Sequence, residues 1–274
     1  MSKTIAVNFM KKSSLKILVI LLGILGIFYI RGLYTTPTTA SLRVGVTSGP
    51  HAMILEHIKE KAVKQGLHIN IIQFDDFILP NAALSQGDID VNSYQHKPFL
   101  DEQIESRKYK IHSIAKTVLM PLGIYSHRIK NIDDLKDSSQ VGIPNDPTNG
   151  GRALLLLQKA GLITLTNSHN PSLLDIKENP KNLEIIELDS PRLPRSLEDL
   201  DIAVINTDWV LLAKMDPSSA ILKESTDSPY TNVIVVRDGD ENLPEIKQFV
   251  TLYQSDDTGK FIKDTFKGTV IPGW

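Results

Sequence analysis

Val141-Gly-Ile-Pro-Asn-Asp-Pro-Thr-Asn-Gly-Gly-Arg152, running on into Ala153-Leu-Leu-Leu-Leu157, reads as a strand, a polar turn and a helix. Pro144 and Pro147 stiffen the turn, and Thr148 or Asn149 is placed to cap a helix over 151–160 that Gly161 ends. Gly150-Gly151 allows a ligand close to the backbone. A helix N-terminus offers free N–H groups and a partial positive charge, so the turn is a candidate carboxylate site. Arg152 falls in the first turn of that helix and could add a two-pronged hydrogen bond. A capped helix with a solvated arginine accounts for the same residues, and both readings stand.

The same alternation extends outward in both directions. Leu42–Val46, Ile69–Ile72, Gln140–Ile143, Leu183–Ile186, Ile202–Ile205 and Asn232–Arg237 read as strands. Between them lie helical patterns, with Leu55, Ile58 and Ala62 at helical spacing, and Leu243, Ile246, Phe249, Val250 and Tyr253 along another. Ser48 is a plausible cap for the first helix, and Ile89 and Val91 mark a strand near a sheet end. Short strands alternating with helices of this length indicate α/β layers with largely parallel sheets. Polar loops follow strands in separate halves of the chain, which favours two lobes with a ligand cleft between them, since open α/β sheets bind ligands beyond the carboxyl ends of their strands. The expected division is a leader over 1–40, a first lobe from 41–125 and 230–274, and a second lobe over 126–229.

Three further segments carry chemistry. Phe77, Tyr94 and Phe99 lie in or beside loops at strand and helix ends, where rings that cover something apolar could line a slot for a thioether or aliphatic chain. Ordinary core packing is the alternative for each. Asn206 follows the apolar strand Ile202–Ile205, and Asn232 opens the last strand. Each amide could receive a polar ligand group or simply satisfy its own turn.

Composition narrows the function classes. The 274 residues carry a net charge of −2, with no basic field to attract nucleic acid. Without cysteine there is no disulfide, thiolate chemistry or lipid attached through a thiol. The seven histidines show no metal-ligand spacing, and no nucleophile elbow, phosphate loop or dinucleotide fingerprint is present, so neither catalysis nor a cofactor is expected. At the start, Lys11, Lys12 and Lys16 precede the uninterrupted apolar run Ile17–Ile30, then Arg31 and a small-polar stretch to Ala40. That order is a secretory signal cleaved near Ala40, or a short membrane anchor whose flanking cations snorkel. Either way the part from residue 41 onward is expected outside the cytoplasm, in a periplasm or on the outer face of the membrane.

Many motifs in order, from Leu42 to Trp274, resemble the NlpA/MetQ family of methionine-binding lipoproteins. They include Phe74-Asp-Asp-Phe77, Tyr94-Gln-His-Lys-Pro98, Pro144-Asn-Asp-Pro-Thr-Asn149 with Arg152, Glu178-Asn-Pro-Lys-Asn-Leu183, Ala203-Val-Ile-Asn206, Ser228-Pro-Tyr230 and Gly273-Trp274. The resemblance implies a two-lobed periplasmic-binding-protein fold of type II-like architecture. It implies delivery of methionine, of either hand, to an ABC permease and its ATPase, with another apolar amino acid, a short peptide or a sensor role as alternatives. It places Phe77, Tyr94, His96 and Phe99 around the ligand side chain, Arg152 on the carboxylate, Asn206 and Asn232 at the polar end, and Asn149 beside them. Two positions depart from the family pattern, because Phe77 and Phe99 stand where tyrosines are common. The lipobox cysteine of the family is also missing, so a membrane anchor or a soluble protein is expected in place of a lipid tether.

Overall fold

A computed structural model describes residues 41–166 and 169–274. The leader, including the run Ile17–Ile30 and Ala40, lies outside the described residues. Among the described residues no helix is long and apolar enough to cross a membrane.

Residues 41–274 form one compact unit of two α/β lobes. The chain begins in the first lobe with β1 (Ser41–Thr47), α1 (Pro50–Lys64), β2 (His68–Phe74), α2 (Leu79–Gln86), β3 (Val91–His96), α3 (Lys97–Arg107), β4 (Ile111–Lys116) and β5 (Val118–Leu119). It crosses over and builds the second lobe from β6 (Gly123–Tyr125), β7 (Gln140–Pro144), α4 (Pro147–Lys159), β8 (Thr164–Leu165), β9 (Ile176–Glu178), β10 (Glu184–Leu188), α5 (Leu193–Ser196), β11 (Ile202–Ile205), α6 (Thr207–Leu212) and β12 (Leu222–Lys223). It then returns as β13 (Asn232–Arg237), α7 (Pro244–Tyr253), α8 (Asp256–Phe266) and β14 (Ile271–Pro272).

The first sheet has the order β2-β1-β3-β13-β4 and the second β10-β7-β11-β6-β12. Each sheet has two parallel and two antiparallel strand pairings, so the sheets are more mixed than the expected largely parallel arrangement. The cause in the first sheet is the return crossing. β1 and β3 run toward the cleft and end there, whereas β13 starts there, with Asn232 opposite His96. β6 pairs with β11, so Gly123–Tyr125 belongs to the second sheet.

Both faces of each sheet are covered, which is why β11 and β13 read as apolar runs without a polar face. In the first lobe Ile54, Ile246, Phe249 and Ile262 from α1, α7 and α8 fill one face, and Leu84 and Leu100 from α2 and α3 the other. In the second, Leu154 and Leu157 of α4 pack on one face, and Leu193, Trp209 and Val210 of α5 and α6 on the other. The chain end braces the crossings. β14 pairs with β5, and Gly273 N donates to Thr117 O at 2.8 Å. A side chain at 273 would sit 2.5 Å from Thr231 Cγ2, so only glycine fits between the two crossing segments.

Candidate functional site

The helix that the opening segment predicts begins earlier than the sequence suggests. α4 starts at Pro147, and Asp146 is its cap, its carboxylate accepting from Asn149 N at 2.9 Å. Pro in the first helical position fits this register, because its missing N–H would be unpaired there in any case. Neither Thr148 nor Asn149 is the cap, and Arg152 lies in the second turn. The helix N-terminus is therefore held by the chain's own acid, which leaves the positive end of the helix already matched. Gly150 and Gly151 serve packing. A Cβ at 150 would sit 2.9 Å from Pro144 O, and one at 151 would sit 2.9 Å from Pro171 O. At the first helix too the cap differs, since Ser48 Oγ donates to Asp75 at 2.8 Å and makes no cap bond.

Between the lobes lies a small cavity lined by Phe77, Tyr94, His96, Phe99, Asn149, Arg152, Asn206 and Asn232. All eight residues expected at the site are brought together there. Met120, Gln95, Thr207 and Asp208 complete the wall.

The rings form its apolar side. Phe77 stacks 6.2 Å from Tyr94, meets Phe99 edge-on at 6.2 Å, and reaches Trp209 of the opposite lobe at 5.0 Å. Tyr94 and Phe99 are buried, while Phe77 is half-buried. Tyr94 lies within β3 and not in a loop. Val233 pairs with Gln95 and Ile234 with Ser93, so Tyr94 is the extra residue of a bulge. Its hydroxyl donates to Phe77 O at 2.8 Å and fixes that loop. Polar β3 is buried at every position because its amides satisfy one another. Asn81 and Gln95 exchange hydrogen bonds of 2.7 and 2.6 Å, and Asn92 donates to Asn81 at 2.9 Å.

Two neutral histidines stand beside the cleft, one bonded across it and the other held within the first lobe. His96 Nδ1 accepts from Phe99 N at 3.1 Å, so its proton is on Nε2, which donates to Asn149 Oδ1 at 3.2 Å across the cleft. Asn206 Nδ2 donates to the same oxygen at 2.8 Å. Asn149 Nδ2 bonds Asp146, so the Asn149 side chain is spent on holding its neighbours. Asn232 Nδ2 donates to Tyr94 O at 3.2 Å and to His51 Nε2 at 3.1 Å. Burial depresses both histidines to about 3, with Arg152 adding to the effect at His96.

Arg152 is buried and attached to both crossing segments. Its Nη2 donates to Met120 O at 3.0 Å, and its Nε donates to Glu224 at 2.9 Å, with Nη2 also against that carboxylate. Glu224 Oε2 accepts from Leu122 N at 3.3 Å as well. The guanidinium lies 4.3 Å over the Tyr230 ring, and Tyr230 in turn meets His96 at 5.1 Å. The expected two-pronged grip on a ligand is thus taken by Glu224. Among the described residues Nη1 is the guanidinium nitrogen left without a hydrogen bond. His51, Met120, Asp208, Glu224 and Tyr230 were not legible as site residues, being distant in sequence from the groups they meet. Asp208 and Tyr230 had a local signal, each two positions from a candidate amide, Asn206 and Asn232.

Two sheet-based lobes closed on one polar-and-aromatic cavity define a clamp-type binding protein. Residues 42–274 match the family described as NlpA lipoprotein, and the chain belongs to that family. It is 48% identical to the D-methionine-binding lipoprotein MetQ of Salmonella typhi over 240 residues, covering 85% of this chain and 88% of that protein. A nutrient-binding protein of Burkholderia cenocepacia, solved bound to methionine, is 44% identical, with a TM-score of 0.82 over 85% of this chain and all of that one. A periplasmic substrate-binding protein of an ABC transporter from Coxiella burnetii is 45% identical, with the same TM-score and coverage.

Proposed function

We propose that this chain captures methionine outside the cytoplasm and delivers it to an ABC permease and its ATPase, without catalysing a reaction. The observation that carries the reading is the division of the cavity into an apolar and a polar part. Phe77, Tyr94, Phe99 and Met120 give one apolar part suited to a thioether chain. Arg152, Asn206 and Asn232 give a polar part suited to a carboxylate and an amine. The names of the relatives support the same reading. The lobes would comprise residues before Gly123 together with the returning chain, and the residues between. Placement outside the membrane rests on the leader, and on relatives described as lipoproteins and as a periplasmic protein. Mass spectrometry of small molecules released from the purified protein, followed by calorimetry with methionine, leucine and glycyl-methionine, tests it. Release of methionine, and its tightest binding among the three, is expected. Tighter binding of leucine or the dipeptide would replace the ligand assignment.

A further inference from the structure

The polar part of the cavity contains an acid that the reading above does not use. Asp208, near the start of α6, lines the cavity and is buried. Its nearest basic group is His51 Nε2, on the opposite lobe at 3.4 Å. That nitrogen has no proton to give. The Asn232 amide is oriented by its bond to the Tyr94 carbonyl, so the group facing His51 is an N–H donor and Nε2 must accept. The His51 proton is then on Nδ1, which is buried without a partner. Asp208 Oδ1 is likewise buried and without a hydrogen bond. Two residues earlier Asn206 Oδ1, in the same wall, is a second buried acceptor lacking a donor.

The charges of the wall sharpen this. Arg152 is matched by Glu224, and both histidines are neutral. Among the described residues Asp208 is the acid that faces the cavity without a matched partner. Buried acceptors without donors are unfavourable until a ligand supplies them. A primary ammonium brings both the charge and several N–H groups.

We propose that Asp208, with Asn206 Oδ1, receives the α-ammonium of the bound amino acid and makes the site require a free amine. This rests on the amino-acid reading above and deepens it. Burial holds the Asp208 carboxyl up at about 7, and an ammonium placed against it favours the ionised form.

The test is calorimetry on the purified full chain and on Asp208→Asn and Asp208→Glu. The ligands are methionine and 4-(methylthio)butanoic acid, which has the same side chain and carboxylate but no amine. The parent should prefer methionine by on the order of a hundredfold, the worth of two charge-assisted hydrogen bonds. Asp208→Asn should reduce that preference to about tenfold or less, while Asp208→Glu, which keeps the charge, should retain most of it. A merely structural aspartate would give the reverse order, because the longer glutamate disturbs the packing more than the isosteric amide. Melting of the unliganded variants checks folding, with Asp208→Asn expected at or above the parent. An undiminished preference in Asp208→Asn, or equal binding of the two ligands by the parent, overturns the ammonium assignment and leaves the methionine reading intact. Binding of neither ligand by the parent overturns both.

Discussion

Replacing Arg152 with alanine separates two roles that the structure combines in one side chain. Arg152 is buried, and its Nε and Nη2 are occupied by Glu224 and Met120 O. Its removal strands the Glu224 carboxylate, and breaking one partner of a buried ion pair destabilises by about 3–5 kcal/mol. For a domain of this size that lowers the melting temperature by roughly 6–20 °C. The contact with the ligand carboxylate is smaller, because Nη1 alone is unengaged. One charge-assisted hydrogen bond is worth about 1.5–3 kcal/mol, or roughly 10- to 150-fold in affinity. The assay is calorimetry with methionine and methioninamide, which lacks the carboxylate, on parent, Arg152→Ala and Arg152→Lys. The parent should prefer methionine, the alanine variant should lose most of that preference, and lysine should restore part of it as a point charge. Full discrimination surviving in a folded Arg152→Ala protein would refute the placement of the carboxylate. A melting temperature unchanged by the substitution would refute the bracing role assigned to the Glu224 pair.

Phe77→Ala, at a half-buried ring, should weaken methionine binding by about 1–3 kcal/mol in calorimetry with little change in melting. Tyr94→Phe, which removes the bond to Phe77 O, should weaken it by about 1 kcal/mol. Trp209 packs on Phe77 across the cleft, so methionine should change tryptophan fluorescence in the parent and in Trp274→Phe but not in Trp209→Phe. A pH series on unliganded protein isolates Asp208, which faces His51, Arg152 and Tyr253. His51 and His96 lie near 3 when folded against an ordinary 6.5, so the unfolded chain binds two extra protons between those values, and their contribution is lost as pH falls. Asp208, at about 7 when folded against 3.8, makes the folded state bind one extra proton over nearly the same window, with opposite sign. Denaturant unfolding between about pH 4.5 and 6.5 should therefore show Asp208→Asn losing stability about 1.4 kcal/mol per pH unit more steeply than the parent.

The apolar strands were legible in the sequence because both faces of each sheet are buried. Ile202–Ile205 and Asn232–Arg237 appear with the bounds that the residues suggest. β3 was not. Asn92, Ser93, Gln95 and His96 look like loop residues, yet the Asn81–Gln95–Asn92 amides satisfy one another and let a polar strand be buried. The bulge at Tyr94 depends on pairing with β13, more than a hundred residues later, and no local pattern announces it. The cap at Asp146 is readable from the Asp146-Pro147 pair, because proline favours the first helical position. All eight expected cavity residues meet because each sits at the cleft end of a strand, in the helix or segment that follows it or, for Asn232, at the strand start. Glu224, paired with Arg152 across 72 residues, has no such local marker.

The path of the chain also fixes the order in which the clamp can be assembled. Every strand of the second sheet has been made by Lys223, so that lobe can fold as soon as its own residues are available. The first sheet cannot. β13 belongs between β3 and β4, and until Arg237 has emerged the early strands keep an unpaired edge while β4 has nothing to join. The brace at Gly273 closes last. Because long-range strand pairing is slow, the first lobe stays unfinished until that late pairing is made. The cavity therefore gains its second-lobe wall first, and its first-lobe wall only once β13 has been made.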